Sequence, residues 1–270
     1  MSDIIFTWNP WCLPVLMAVV LLLAIELPYR WLHMPAMEKH TDAFNAVQAG
    51  LLTLASFVLG LSFSQASSRF DARRGLVMKE ANAIGTTWLR ADQLPRPETT
   101  GFRRILTDYT AIRLKAYETP GDPGLHGLAI KRSDEYQTQL WTITSGAMRR
   151  EPGNLGISLL MQTLNDTIDV SAEQLQALTT HVPTTVVELT LLLVTIGAFS
   201  LGLRFALDRA RPAALSAAYV VASVIVISMM VDYDRPQTGF VRVNLNPIRV
   251  QLESMQKSPK GATAVLQAPL

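Results

Sequence analysis

The sequence predicts an all-α membrane protein with four transmembrane helices and a helical extramembrane domain inserted between the second and third of them. Of the 270 residues, 49% are hydrophobic and only 17% are charged, whereas a soluble domain carries about 25% charged residues. Four apolar runs are each long enough to cross the roughly 30 Å hydrocarbon core of a bilayer. One long polar segment with helical periodicity separates the first two runs from the last two.

The first span is the uninterrupted apolar run at residues 11–25, which Leu27 extends. A cleaved signal peptide would have a basic segment before the run and a small-residue cleavage site after it. Here the preceding residues include Asp3 but no Lys or Arg, and the sequence ELPYR follows. We therefore interpret the first span as a retained membrane anchor.

The other three spans are predicted at residues 44–63, 184–203 and 212–231. Pro183 precedes the third span and Pro212 starts the fourth, and proline is tolerated in the first turn of a helix. The four spans therefore form two pairs, and one polar segment separates the pairs.

The middle segment, residues 67–182, is predicted to be helical. The helix of the second span continues without a breaker until Pro95, and further helices follow at 99–118, 129–150 and 156–181, with a turn at 119–127. The domain boundaries are therefore residues 1–66 for spans 1 and 2, 67–182 for the extramembrane domain, and 183–253 for spans 3 and 4 with a C-terminal segment. Residues 254–270 are poor in core-forming side chains and are predicted to be a disordered tail.

Composition argues against several classes of function. A net charge of +2 does not support a nucleic-acid binder, which usually shows a concentrated basic face. One cysteine, Cys12, and four scattered histidines favour neither a disulfide nor a metal site, so we expect no metal and no cofactor. No catalytic constellation is present, so we expect no enzyme. Glu26 and Glu188 are the ionisable residues nearest the span interiors, where a functional or a boundary role is open.

Two aspartates, Asp232 and Asp234, end the fourth span, where the helix dipole disfavours acids. Four spans place both termini and residues 67–182 on one side of the membrane. The acids therefore end on the side where the second span continues, and we expect one of them to pair with a nearby cation. The candidate partners are Arg69, Arg73, Arg74 and Arg235. Solvated charges at headgroup level are the alternative.

A polar string on the continued second helix contains Glu80, Asn82 and Arg90. Asn and Thr are not preferred in helix interiors, so the string suggests either hydrogen bonds that hold the helical domain together or the lining of a lumen. The natural partners for such a network are Tyr109, Arg113, Asn165 and Asp169, because Arg and Asp form strong charge-assisted pairs.

Residues 60–95, GLSFSQASSRFDARRGLVMKEANAIGTTWLRADQLP, resemble the signature of the bacterial bestrophin-like domain family. Further similarities are Tyr109 with Arg113, Asn165 with Asp169 in LNDTID, and DYDRPQTGFVRV after the last span. The resemblance covers the chain from about Glu26 to Val250.

The resemblance implies a distant similarity to bestrophins, which are pentameric ion channels of four-span subunits with a helical cytosolic domain. By that similarity the termini and the middle segment are cytoplasmic, the second span lines the pore, and the location is the bacterial inner membrane. Charges near the span ends do not decide the orientation, with about five on one side and seven on the other. Animal bestrophins hold calcium with a dense acidic run after the last span. Only Asp232 and Asp234 stand there, so we expect no calcium clasp.

We expect an oligomeric channel for small ions in membrane lipid, with a pore lined by Thr53, Phe57, Leu61 and Ser64. Gly60 is the alternative to Leu61 at that position of the pore-lining face. An apolar constriction can gate by dewetting, and the arginines below it would form a vestibule that favours anions. The alternatives are that Phe57 and Leu61 pack against neighbouring helices, and that the protein is a non-conducting scaffold or sensor whose helical domain binds a partner or small ligand.

Overall fold

The computed structural model describes residues 12–31, 41–118, 123–235 and 239–257, and all its regular elements there are helices. The chain divides into two compact units. The membrane unit comprises residues 1–71 and 180–241, and the helical unit comprises residues 72–179 and 242–270.

The elements follow the predicted order. In the membrane unit they are α1 (Cys12–Trp31), the start of α2 (Thr41–Arg90), α6 (Thr184–Asp208) and α7 (Ala213–Tyr233). The helical unit contains the rest of α2, a short 3₁₀ turn (Ala91–Gln93), α3 (Glu98–Glu118), α4 (Pro123–Arg150), α5 (Leu155–Thr179) and α8 (Asn246–Lys257). Four described segments are long and apolar enough to cross a membrane: α1, α2, the Leu155–Asp208 segment that contains α6, and α7.

Within the membrane unit, α1 packs against α6 and α7. Leu21 of α1 and Ala198 of α6 have no exposed surface, and Ile227 of α7 is 1% exposed. Gly202 permits the close approach of α6, because a Cβ atom there would clash with the carbonyl oxygen of Ile25. Small residues have this role in lipid, where the hydrophobic effect does not drive helices together.

A buried hydroxyl pair joins α2 to α6. Ser62 Oγ lies 2.8 Å from Thr190 Oγ1, and neither residue has exposed surface. Each hydroxyl also lies 2.8 Å from a carbonyl oxygen one turn earlier in its own helix. Near the start of α6, the two helices are therefore joined by groups that keep their hydrogen bonds within the protein.

Side-chain contacts fix the direction of the spans within the membrane unit. Leu13 at the start of α1 belongs to the same cluster as Phe63 of α2, Val182 before α6 and Val231 near the end of α7. At the opposite end, Glu26 near the end of α1 lies 2.8 Å from Arg211 of the α6–α7 linker. Successive spans therefore run in alternating directions.

In the helical unit, α2, α3, α4 and α5 bury a common core. Ile84, Phe102, Tyr109 and Leu164 have no exposed surface. Met255 of α8 is 3% exposed and packs against the same core.

Two boundaries differ from the sequence-based prediction. The disordered tail was predicted to begin at residue 254, but α8 continues to Lys257, because burial of Met255 anchors its last turn. The helix predicted to begin at residue 129 begins at Pro123, so residues 123–127 of the predicted turn are helical, and proline is tolerated in the first turn of a helix. Residues 119–122 of the predicted turn lie outside the described residues. Residues 258–270 of the predicted tail lie outside the described residues.

Candidate functional site

The predicted pore-lining side chains lie on one uncovered face of α2. Thr53, Phe57, Leu61 and Ser64 are all exposed within the chain, with Phe57 62% and Leu61 50% exposed. Gly60 lies on the same face, and apart from its own stretch of helix no described atom lies within 4 Å of the place where its Cβ would stand. No described part of this chain therefore covers that face.

The composition of this face differs from that of the exposed face of α1. The first span exposes Val15, Leu16, Val19, Leu22 and Leu23, which are all aliphatic. Such a surface suits lipid tails. The exposed face of α2 instead mixes two hydroxyl residues and a glycine with its two bulky apolar side chains. The Thr53 hydroxyl donates to the carbonyl oxygen of Ala49 at 2.8 Å, so its own oxygen remains an acceptor.

Asp232 holds the chain that follows the fourth span. Its Oδ1 accepts a hydrogen bond from the Phe240 amide at 2.6 Å, and its Oδ2 accepts one from the Val241 amide at 2.8 Å. Gly239 is required in this arrangement, because a Cβ there would lie 2.6 Å from Asp232 Oδ1. The aspartate therefore accepts hydrogen bonds from two consecutive backbone N–H groups of the segment that follows α7.

Asp234 ties the end of α7 to the segment that enters α6. Its side chain is 3% exposed, and Oδ2 accepts a hydrogen bond from the Val182 amide at 3.0 Å. His181 Nδ1 lies 3.3 Å from the same oxygen. The two acids at the end of the fourth span therefore have different tasks: Asp232 organises the loop after it, and Asp234 joins it to the third span.

The arginines of the predicted charge cluster occupy different environments. Arg73 is 4% exposed, and its Nε donates to the carbonyl oxygen of Ala177 at 3.0 Å within the helical unit. Arg69 is half-buried and Arg74 is exposed. Arg235 is buried; burial lowers its pKa, while the nearby Asp232 carboxylate acts in the opposite direction. The pairing of Asp232 or Asp234 with these arginines stays a prediction, beside the backbone contacts described above.

A buried ion pair lies in the helical unit. Glu80 of α2 has no exposed surface, and its Oε1 accepts a hydrogen bond from Arg113 Nε at 2.7 Å. The Tyr117 hydroxyl accepts from Arg113 Nη2 at 2.6 Å and donates to Glu80 Oε2 at 3.2 Å. Gln174 of α5 completes the cluster, with its Oε1 at 3.5 Å from Arg113 Nη2. Three helices thus meet around one carboxylate.

Electrostatics in this cluster follow from burial. Burial, reinforced by the Glu80 carboxylate, raises the pKa of Tyr109 to about 12 and that of Tyr117 well above its ordinary value. Burial alone would lower the pKa of Arg113, but the adjacent Glu80 carboxylate raises it overall. The cluster therefore contains one negative group, one positive group and two phenols that keep their protons.

The other residues of the predicted polar network lie elsewhere. Asn82 is exposed, and Arg90 Nη1 donates to the carbonyl oxygen of Leu159 at 2.8 Å. Asn165 and Asp169 pair with each other at 2.7 Å on the exposed face of α5. Gln174 was not among the partners predicted for this network. Its neighbours in sequence carry no signal that would have predicted it.

Glu26 and Glu188, the two acids nearest the span interiors, occupy different environments. Glu26 lies 2.6 Å from Arg30 Nε and 2.8 Å from Arg211 Nη2, so it joins the end of α1 to the α6–α7 linker. Glu188 is exposed on α6. In the part of the chain that the structure describes, no three His, Cys, Asp or Glu side chains form a group that could hold a metal ion.

Comparison with known proteins identifies the fold. A solved structure of a membrane protein is 17% identical, with a TM-score of 0.66 over 92% of this chain and 97% of that chain. A bacterial bestrophin homolog from Klebsiella pneumoniae is 18% identical, with a TM-score of 0.61 over 92% of this chain and 96% of that chain. No curated protein is significantly similar in sequence. The family model for the Bestrophin-like domain matches residues 15–248, and the chain therefore belongs to the bestrophin-like family of membrane proteins.

Proposed function

We propose that the chain is a subunit of an oligomeric ion channel whose pore is lined by α2. The observation that carries the proposal is the uncovered face of that helix. It bears Thr53, Phe57, Leu61 and Ser64, and it is the exposed span face on which hydroxyl groups and a glycine accompany bulky apolar side chains. Membership in the bestrophin-like family supports the same assignment.

The interior of the membrane unit favours a pore formed between several subunits over a pore within one subunit. The contact of α1 with α6 and α7 is filled by side chains such as Leu21, Ala198 and Ile227, which are at most 1% exposed. Four spans packed in this way leave little room for water within one subunit. A conducting path therefore requires several copies arranged around an axis, with α2 facing it.

Phe57 and Leu61 form the apolar constriction of the proposed pore. Each projects from the uncovered face with at least half of its surface exposed. A ring of such side chains repels water and stays closed until it widens. Thr53 and Ser64 stand one turn before and one turn after, where hydroxyl oxygens can contact hydrated ions.

The arginines that follow on α2 supply the vestibule. Arg74 is exposed and Arg69 is half-buried, whereas Arg73 is buried against the carbonyl oxygen of Ala177. We therefore assign the attraction of ions to Arg69 and Arg74. Repeated around a ring, these charges would concentrate anions at the pore mouth. The corresponding location is the bacterial inner membrane, with both termini in the cytoplasm.

Ion flux through liposomes tests this proposal. Phe57→Ala or Leu61→Ala should widen the constriction and raise flux severalfold over the wild type. Leu22→Ala is the matched control, because Leu22 is 49% exposed on the aliphatic face of α1 and should leave flux unchanged. The mass of the detergent-solubilised particle must show several subunits. A monomer, or an assembled oligomer that passes neither anions nor cations, would favour the scaffold or sensor alternative.

A further inference from the structure

A small pocket with mostly apolar walls lies between the start of α1 and the end of α7 in the membrane unit. Its volume is about 160 Å³, which is below the roughly 300–1,000 Å³ of a site that encloses a whole drug-sized ligand. The pocket therefore fits one part of a larger molecule. Its apolar lining residues are Leu13, Pro14, Met229, Val231, Phe240 and Val241.

Two opposite charges stand among these apolar walls. Asp232 is 9% exposed and Arg235 is 6% exposed, and both line the pocket together with Ser228. Each carboxylate oxygen of Asp232 accepts one backbone N–H, and each can accept a second hydrogen bond, because a carboxylate has about four lone-pair sites. The guanidinium of Arg235 carries five N–H donors. The lining thus offers both an acceptor and a donor, and its net charge is zero.

An exposed apolar stripe leads from the pocket along α7. Val221, Ile225 and Met229 are spaced by four residues and are 56%, 53% and 41% exposed, so they lie along one side of the helix. From Val221 to Met229 the helix rises about 12 Å, which is close to the roughly 15 Å of hydrocarbon in one leaflet. Met229 belongs to both the stripe and the pocket. A molecule that fills the pocket can therefore extend an acyl chain along the span.

We propose that this pocket binds a zwitterionic phospholipid, with its phosphate beside Arg235, its primary ammonium group beside Asp232 and an acyl chain along the stripe. Guanidinium and phosphate groups form bidentate charge-assisted pairs, and an ammonium group has three donors for carboxylate oxygens. An anionic headgroup would gain the contact with Arg235 but would be repelled by Asp232. A soluble zwitterion would leave the apolar walls and the stripe uncovered.

Native mass spectrometry of the detergent-solubilised protein tests the proposal. Titrations with phosphatidylethanolamine and with phosphatidylglycerol of the same acyl chains give the dissociation constant of the first lipid bound per subunit. Phosphatidylethanolamine should bind severalfold more tightly, and soluble phosphoethanolamine, which lacks acyl chains, should not displace it. Equal affinity for the two lipids, tighter binding of phosphatidylglycerol, or displacement by phosphoethanolamine would overturn the proposal.

Two variants locate the bound lipid. Met229→Trp fills the pocket and should weaken the binding of phosphatidylethanolamine severalfold; Leu22→Trp is its control, because Leu22 is 49% exposed on α1 outside the pocket. Arg235→Gln should also weaken binding severalfold, and Arg235→Lys should restore part of it, since the positive charge returns. Arg211→Gln is the control for charge, because Arg211 pairs with Glu26 at the opposite end of α1.

Thermal midpoints in lipid-free detergent show which variants keep the fold. A folded Met229→Trp that binds phosphatidylethanolamine as the wild type does would overturn the proposal. A changed number of subunits in that variant, with lipid binding unchanged, would show that a second copy of the chain covers the pocket instead. None of these measurements involves ion flux, so the lipid site and the channel proposal can fail separately.

Discussion

Glu80 and Arg113 form a buried ion pair between α2 and α3, with 2.7 Å between Glu80 Oε1 and Arg113 Nε. The side chain of Glu80 has no exposed surface and that of Arg113 is 8% exposed. Removal of one partner from such a pair leaves an uncompensated charge in a medium of low dielectric constant, which costs far more than the pair itself contributes.

The first prediction follows from this pair. Glu80→Gln should lower the free energy of unfolding of the helical unit by about 3–5 kcal/mol, because Arg113 would stay charged without a buried anion. Glu118→Gln is the control. Glu118 pairs with Arg249 at 2.7 Å, but both side chains are about half exposed, and exposed pairs contribute about 0–1 kcal/mol. Denaturant titration followed by circular dichroism would measure both. Equal losses in the two variants would contradict a structural role for the buried pair.

The second prediction concerns alkaline pH. The pKa of Tyr109 is raised from 10.0 to about 12, chiefly by burial. Below pH 10 the folded and unfolded states both hold the proton, so the contribution to stability is complete. Between pH 10 and pH 12 the unfolded state loses the proton first, so stability falls, by about 2–3 kcal/mol. Tyr109→Phe should flatten the dependence of the unfolding midpoint on pH in this window. A slope identical to that of the wild type would contradict the attribution of this loss of stability to Tyr109.

Much of the fold could be predicted from the sequence, because the relevant signals are local. The four spans, the continuation of α2 beyond the membrane and the helical middle segment all follow from uninterrupted apolar runs and helical periodicity. The end of α8 could not be placed, because the burial of Met255 depends on a core built from distant helices.

The candidate sites could be predicted only in part. Glu80 and Arg113 were expected in one network, because the polar string on the continued second helix suggested a bonded role and arginine forms strong charge-assisted pairs. The contacts of Asp232 could not be predicted from residue types, because its carboxylate accepts from backbone amides at residues 240 and 241. Every residue except proline carries an amide, so a backbone partner leaves no signal in the sequence.

The third prediction concerns the packing of α1 against α6. Gly202→Ala would place a methyl group against the carbonyl oxygen of Ile25, a backbone atom that cannot move without shifting α1. Overpacking of this kind costs about 1–3 kcal/mol. Gly50→Ala on α2 is the matched control, because apart from its own stretch of helix no described atom lies within 4 Å of the place where its Cβ would stand. The thermal midpoint of the detergent-solubilised protein should fall for Gly202→Ala and rise slightly for Gly50→Ala, because alanine is favoured over glycine at an open position inside a helix. A higher thermal midpoint for Gly202→Ala than for Gly50→Ala would contradict the close contact between α1 and α6.

The fourth prediction separates the tasks of the two acids that follow the fourth span. Asp232→Ala should accelerate hydrogen exchange at the amides of Phe240 and Val241, which lose their acceptor, and should leave Val182 protected. Asp234→Ala should do the opposite, because its carboxylate accepts from the Val182 amide. Each variant is the control for the other. The loss of one acceptor from a buried N–H costs about 1–3 kcal/mol. Identical exchange patterns in the two variants would show that the acids act as one unit.

The last prediction distinguishes two adjacent arginines of α2. Arg74 is exposed and is assigned to the vestibule, whereas Arg73 is 4% exposed and donates to the carbonyl oxygen of Ala177. Arg74→Glu should therefore lower the anion-to-cation permeability ratio while the protein keeps its thermal stability, because the substitution reverses a charge at the pore mouth. Arg73→Glu should instead lower stability, since it removes a buried donor and places a carboxylate beside a carbonyl oxygen. Reversal potentials and thermal midpoints of the two variants would test this division. If Arg73→Glu changed the selectivity and left the stability unchanged, Arg73 would belong to the vestibule, as was predicted from the sequence.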